Sequence, residues 1–454
     1  YYFGQSTADG QADMKNLLGG KGANLAEMTN LGIPVPAGLT ITTEVCKHYY
    51  ENEQSFPDNS ETQLQESLSK IESAMGKNFG DLDNPLLLSV RSGARMSMPG
   101  MMETVLNVGL TSKTINGLIA KTNNPRFVYD AYRRLIMMYS DVVMEKAAGI
   151  NPKSGKGIRH ELEKILEDYK TRKAYTSDID MKANDWETIS KEFKIEIKTT
   201  LGKSFPDDPY EQLWGGIKAV FQSWNGKRAI SYRKIENIPN EWGTAVNVQA
   251  MVFGNTGDNS ATGVAFTRNP ATGKNNFYGE WLQNAQGEDV VAGTRTPHPL
   301  NEATKTDESA HLDSLESFML KVYGQLDEIR IKLERHYKDM QDIEFTIEDG
   351  QLWMLQTRTG KRTGGAAIQM AVDMVREGMI DKKTALMRVT PDQIDELLHP
   401  RLEIEEEKQA RIVARGLPAG PGGGVGQVVF TADDAESWVK SEKKVILVRE
   451  ETSP

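Results

Sequence analysis

Residues 86–110 read LLLSVRSGARMSMPGMMETVLNVGL. The apolar run Leu86 to Val90 reads as a buried strand, and it delivers Arg91 at its end into a turn of Ser, Gly, Pro and Met. A guanidinium held at the rim of a sheet beside flexible backbone presents a fixed fork of donors to phosphate oxygens. The competing reading is an ion pair with a nearby carboxylate. Working outward, a second cation, Lys21, sits between glycines in LLGGKGANLAEM, residues 17–28. Far downstream lies an acidic hairpin, Asp342 to Arg358, with Asp349-Gly350 as its turn signal. Cations for phosphates and carboxylates for a metal, on one chain, point to an ATP site.

Composition narrows the field. At 454 residues the chain is too long for one core, and roughly two to four domains are expected. No apolar run approaches the ~20 residues needed to span a bilayer, so no membrane partner is expected. A net charge of −10 argues against nucleic acid, which calls for a basic footprint. One cysteine, Cys46, excludes an internal disulfide or a cysteine-based metal cluster and fits a reducing, cytoplasmic setting. The six histidines (His48, His160, His298, His311, His336 and His399) form no close pair, so a histidine zinc site is not expected. The opening YYFGQSTADG lacks a secretory signal and also an initiator Met, so a missing native start, including a removed organelle signal, stays open.

The pattern along the chain is α+β. Residues 15 to 50 suggest a glycine loop, a helix from about Ala23, and the strand LTITT. Residues 59 to 79 carry Leu64, Leu68, Ile71 and Met75 at helical spacing. From about 112 to 223 the pattern is almost wholly helical, HELEKILEDYK included, although the stretch from about 150 to 185 is polar, shows no apolar periodicity and reads as a surface insertion. Strands return at Thr244, a helix follows over about 312 to 338, then the hairpin, then helices over 364 to 398. RLEIEEEKQAR is a charged connector, and GLPAGPGGGVGQVVF opens a glycine-rich β segment.

Each motif has a bland alternative. Glycines around Lys21 let backbone amides approach an anion, and the following helix offers its positive end; an exposed loop lysine is the alternative. GGKG is not a P-loop, because no Ser or Thr follows the lysine. Gly93 and Pro99-Gly100-Met101-Met102 suggest a moving loop over polyphosphate, against simple packing of Met98, Met101 and Met102 beneath it. Asp342 and Glu344 share one strand face, as do Gln356 and Arg358. All four converge only if the connection is three or five residues long or a bulge lies near Gly350, since a strict two-residue turn gives the wrong parity. Phe345, Ile347, Leu352 and Trp353 would then fill packing positions. Two carboxylates and an amide suit Mg²⁺, a hard cation; a solvated acidic edge strand is the alternative. Glu280 and Glu288, in GEWLQNAQGEDVVAG, could hold a metal or ribose hydroxyls, although spacing alone favours exposure.

Together, GGKGANLAEM, SVRSGARMSMPGMMETVLNVGL, NPRFVYDAYRRLIMMYSDVV, GVAFTRNPATG, NAQGEDVVAG and DIEFTIEDGQLWMLQTRTGKRT closely resemble the pyruvate, phosphate dikinase family. The resemblance covers nearly the whole chain apart from about 150 to 210 and 300 to 315. The related water dikinase, phosphoenolpyruvate synthase, shares the plan, but the SMPGMMET loop looks like the phosphate-dependent enzyme. A non-catalytic nucleotide-binding module is the remaining alternative.

The resemblance implies an ATP-grasp nucleotide-binding domain, with a first subdomain at 1–111 and 216–243, a helical insertion at 112–215 and a C-terminal subdomain at 244–361. A helical linker at 362–411 and an incomplete swivelling phosphohistidine domain at 412–454 follow. It also implies a phosphotransferase with paired acceptors, turning ATP, pyruvate and phosphate into AMP, phosphoenolpyruvate and diphosphate. Carried over by position, Lys21 and Arg91 match catalytic phosphate-binding cations. Asp342, Glu344 and Gln356 match the metal and nucleotide group, with Arg358 beside them. Glu280 and Glu288 match acidic residues of the same cleft, and Gly100, Met101 and Thr104 belong to the phosphate-covering loop. Mg²⁺ and a monovalent cation are the implied cofactors. The family's phosphorylated histidine and its pyruvate-binding barrel are missing, so the resemblance implies a fragment that binds Mg-ATP, monomeric where the full-length protein is a homodimer.

Overall fold

The structure, a computed structural model, describes residues 1–150, 152, 156–291, 295–398, 406, 409–411 and 423–449. The side chains of Glu288 and Val291 are outside that description. So are His399, most of the charged connector, and the glycine-rich opening of the last segment. The chain forms two units. The first comprises Tyr1–Ala265, Gly279–Ile329 and Ile343–Arg358; the second comprises Phe266–Tyr278, Arg330–Asp342 and Thr359–Pro454.

The strands, in chain order, are β1 (Tyr2–Gly4), β2 (Thr7–Ala8), β3 (Gly38–Ile41), β4 (Asn78–Phe79), β5 (Pro85–Leu86), β6 (Leu88–Ala94) and β7 (Thr104–Val108). They continue with β8 (Thr244–Ala250), β9 (Ala261–Phe266), β10 (Tyr278–Gln283), β11 (His298–Pro299), β12 (Gln341–Glu348) and β13 (Gln351–Thr359). Six of them make one sheet in the order β2-β1-β3-β8-β6-β7. β8 lies at its heart, antiparallel to β3 on one side and β6 on the other, with all seven residues buried. The sequence-based boundary at 244 therefore cuts a strand from the sheet it completes. The same pairing corrects the reading of Arg91 as a strand end. β6 runs on to Ala94 because β8 supplies backbone partners throughout, with Arg91 opposite Asn247 and Ala94 opposite Thr244.

Helices α1 (Lys15–Asn30), α2 (Thr43–Glu51), α3 (Ser60–Met75), α4 (Ile115–Thr122), α5 (Pro125–Tyr139), α6 (Ile158–Lys173), α7 (Ala183–Leu201), α8 (Pro209–Ser223) and α9 (Lys227–Ile235) belong to this unit. Their starts follow from capping chemistry. The Asn124 side chain accepts from Phe127 N at 3.0 Å with Pro125 in the first turn, and Asp208 accepts from Glu211 N at 2.8 Å. α6 overturns the expectation of an aperiodic insertion at 150–185. Ile158, Leu162, Leu166 and Tyr169 form a buried stripe one side chain wide and join the unit's main core. The charged residues between them conceal it. A π-helical stretch, Ser140–Lys146, follows α5.

The five-stranded sheet runs β11-β10-β9-β12-β13. Phe345, Ile347 and Leu352 are buried and Trp353 partly so. Only Asp349 and Gly350 separate β12 from β13, and both are left-handed, at φ 47° and 78°. This tight hairpin turn corrects the first of the two expected alternatives, the three- or five-residue connection. Ser260 explains why it holds: its Oγ accepts from Asp349 N at 3.0 Å, while Gly350 N donates to Asn259 O at 2.9 Å.

The second unit is organised by Arg268, whose side chain is fully buried. Its Nε and Nη2 donate to Glu334 Oε1 at 3.0 and 2.7 Å, and Nη1 donates to Glu377 at 3.1 Å. Thr267 Oγ1 completes the Glu334 carboxylate at 2.6 Å. Helices Gly364–Arg376, Lys382–Arg388 and Pro391–Leu398 follow, and the strands Gln427–Val429 and Val445–Leu447 pair in parallel around the helix Ala432–Lys440.

Removing one partner of a buried ion pair leaves the other charge without solvation. Arg268→Ala is therefore expected to destabilise the second unit by about 3–5 kcal/mol. The double variant Arg268→Leu/Glu334→Leu should recover most of that loss. Urea denaturation followed by a probe in the second unit checks both.

Candidate functional site

α1 is helical on both sides of a break at Gly19, which has φ 68° and ψ 171°. A Cβ there would sit 1.7 Å from the Gly93 carbonyl oxygen, so only glycine fits. The break starts a fresh helical turn at Gly20-Lys21-Gly22, and leading helical amides of this kind receive anions. Gly22 and Gly93 are also crowded, by side-chain atoms. A Cβ on Gly22 would lie 2.8 Å from Asn247 Oδ1, and one on Gly93 2.5 Å from Asn247 Nδ2. Thr40 Oγ1 donates to Asn247 Oδ1 at 2.8 Å. Backbone from the first loop and from β6 thus closes on one buried asparagine, which brings Lys21 and Arg91 together.

β13 supplies the opposite wall. Arg91 Nη2 donates to the Leu355 carbonyl at 3.2 Å and also to Gln249 Oε1, whereas Arg91 Nε finds no protein partner. Asn24 Nδ2 donates to Thr357 O at 2.8 Å, and Gln356 Nε2 to Glu344 Oε1 at 2.9 Å. Glu344 and Gln356 therefore meet despite the two-residue turn. The inside-outside alternation of β13 breaks where they do, since Gln356 and Thr357 are both buried.

The electrostatics follow from this crowding. Burial lowers the Lys21 pKa to about 7; Arg91 and Arg358 push the same way, and the Glu344 carboxylate opposes them. Burial also lowers the Arg91 pKa, again against Glu344. Lys21, Arg91, Arg358 and Glu344 share one field.

The loop after β6 is packed rather than loose. Met98 and Met101 are buried with Trp224, Ala229 and Ile238, and the Arg95 guanidinium lies 5.2 Å from the Trp242 ring centre. Gly100 is exposed at φ 71°, Thr104 pairs with Arg91 across β6 and β7, and Arg358 Nη1 donates to Ser97 Oγ at 3.4 Å.

Not every expected residue joins the group. Glu280 lies on β10, which β9 separates from β12. Its carboxylate reaches solvent, yet the surrounding protein raises its pKa by desolvation. The Glu288 side chain is outside the described residues, and Asp342 falls in the second unit, two positions before Glu344 on β12. Among the described residues, no three His, Cys, Asp or Glu side chains cluster as a metal site. Three participants escaped the sequence reading: Asn24, Asn247 and Gln249. For the last two a signal existed, because TAVNVQA places two amides at alternate positions of an otherwise apolar strand.

Comparison with known proteins adds a relationship to this geometry. A sequence model described as Pyruvate phosphate dikinase, AMP/ATP-binding domain, matches residues 15–61, 52–321 and 300–379. Pyruvate, phosphate dikinase of Rhizobium meliloti is 51% identical over all of this chain and 49% of its own length. The Clostridium symbiosum protein of that name is 50% identical over 98% of this chain and 48% of its own length. Pyruvate, phosphate dikinase 1, chloroplastic, of Arabidopsis thaliana is 49% identical over 100% of this chain and 45% of its own. The chain spans about half the length of these relatives.

Gly19→Ala would combine a left-handed backbone with a backbone clash. It is expected to lower stability by about 1–3 kcal/mol and to separate α1 from β6. Thermal melting reads the first effect, and protease cleavage within residues 15–22 the second.

Proposed function

We propose, on the footing that this chain belongs to the pyruvate phosphate dikinase AMP/ATP-binding domain family, that its first unit binds ATP with the polyphosphate between Lys21 and Arg91. What supports this most is one arrangement: the glycine-flanked Lys21 and the strand-borne Arg91, with Arg358 nearby, in the field of Glu344. The two sheets, one carrying Arg91 and the other Glu344 and Gln356, fit an ATP-grasp architecture. The helices from 112 to 215 act as an insertion, and the segment from 412 as the start of a swivelling domain.

The donor set is consistent with Mg²⁺. Glu344 and Gln356 offer a carboxylate and an amide oxygen, and the family resemblance adds Asp342. When bound, the metal would supply charge neutralisation to the phosphates. This chain's own residues then bind and orient: Arg91 and Lys21 hold phosphate oxygens, and the loop containing Gly100, Met101 and Thr104 excludes water. Glu280 and Glu288 would line the nucleotide cleft. A monovalent cation remains the family-based expectation.

For the whole protein, the reading is a dikinase that uses ATP, phosphate and pyruvate and yields AMP, diphosphate and phosphoenolpyruvate. The phosphoryl acceptor would be a histidine in the part of such proteins that this chain does not cover, and homodimer formation would belong there too. Cytoplasm is the proposed setting. Among the described residues, no helix is long and apolar enough to cross a membrane.

Calorimetric titration with Mg-ATP tests the reading, and absence of binding by the wild-type chain would refute it. Arg91→Ala removes charge-assisted hydrogen bonds of about 1.5–3 kcal/mol, so affinity should fall roughly 10- to 100-fold. Lys21 provides an independent check. With its pKa at about 7 the amine is largely neutral at about pH 8.5, and a polyphosphate beside it raises that pKa again. ATP binding in metal-free buffer should therefore take up protons, seen as a dependence of binding heat on buffer ionisation enthalpy. Lys21→Met should abolish the uptake.

A further inference from the structure

We propose that Gln249 is a positioning residue for Arg91: its neutral amide clamps one end of the guanidinium and leaves the whole positive charge, and the remaining donors, to the polyphosphate. The inference rests on the nucleotide-binding reading above and deepens it.

The geometry begins with register. β6 and β8 pair Arg91 with Asn247 and Ser89 with Gln249. Gln249 is therefore the diagonal neighbour of Arg91 on the same face, within reach of a long side chain. It is almost fully buried, and it stands on a strand bonded on both sides, so its Cα has little freedom. Its amide orientation is also determined. Gln249 Nε2 donates to the Pro36 carbonyl at 3.0 Å, a partner that only the nitrogen can serve, so the oxygen must face Arg91. Arg91 Nη2 then lies between two acceptors, Gln249 Oε1 and the Leu355 carbonyl, both uncharged.

The chemistry of the clamp is what makes it specific. A carboxylate at position 249 would hold the guanidinium equally well but would pair with its charge, as structural arginines are held. Arg268 in the second unit is an example, forked between Glu334 and Glu377. An amide fixes direction without neutralising. Arg91 Nε, moreover, is buried with no partner. A buried donor without a partner is costly, and a site tolerates that where a ligand oxygen is to arrive.

Gln249→Leu and Gln249→Glu separate this role from a structural one when ATP and adenosine affinities are measured on the whole chain, adenosine by competition. For Gln249→Leu, ATP affinity should drop about tenfold with adenosine affinity unchanged, because only the phosphate contact is disturbed. For Gln249→Glu, an almost isosteric change that spares packing, ATP affinity should drop at least as far, again with adenosine unaffected. Equal losses for ATP and adenosine would mean a structural role and would overturn the proposal, as would unchanged ATP affinity in the Glu variant. Wild-type protein that fails to bind ATP would instead refute the nucleotide-binding reading itself.

Discussion

The carbonyl oxygen of Gly93 occupies the space where a side chain at residue 19 would be, and the distance between the two principal cations follows from that contact. Because neither position carries a side chain, the loop before α1 lies directly on β6. Asn247 then fills the remaining gap, with its two amide atoms against Gly22 and Gly93. A lysine on a helical turn and an arginine on a strand are thereby held by backbone contacts rather than by their own flexible chains. Preorganisation of this kind matters for a polyanion site, since ordering long side chains at the moment of binding would spend much of the attraction.

The same closeness sets an electrostatic problem. Three cations act on one another beside one near carboxylate, and burial with the two arginines lowers the Lys21 pKa to about 7, which eases their repulsion. Arg91 cannot lose its proton so easily, and it is steadied by uncharged acceptors. The proposed phosphate site is thus compatible with a net charge of −10, because what counts is the short-range field of three side chains and not the total.

How much of this the sequence disclosed depends on the kind of contact. Lys21, Arg91, Glu344, Gln356 and Arg358 were legible because glycine flanks and strand alternation are local signals. The route by which Glu344 meets Gln356 was not, since turn length at Asp349-Gly350 predicted the wrong parity and the break in β13 has no local mark. The extension of β6 past Arg91 was hidden for a similar reason. Ser92-Gly93-Ala94 has little strand character of its own, and only pairing with β8, some 150 residues away, makes it a strand. The helix at HELEKILEDYK was legible, but its buried face was not, because four apolar residues among many charges still make a stripe when a core awaits them.

The methionine loop shows how packing and motion divide a short segment. Its outgoing end is held by Glu103, whose carboxylate meets Lys146 and Arg228 at 3.3 and 3.2 Å and whose N–H donates to Ser223 Oγ at 3.3 Å. Met98 and Met101 sit in a small core, but methionine is unbranched and repacks readily. Pro99-Gly100 forms the exposed tip, and a Cβ on Gly100 would touch nothing. If polyphosphate binds as proposed, movement over it would release two methionines and turn about Gly100 while Glu103 stays in place. That would keep Thr104 paired with Arg91, so on the proposed reading the loop would move without displacing the cation.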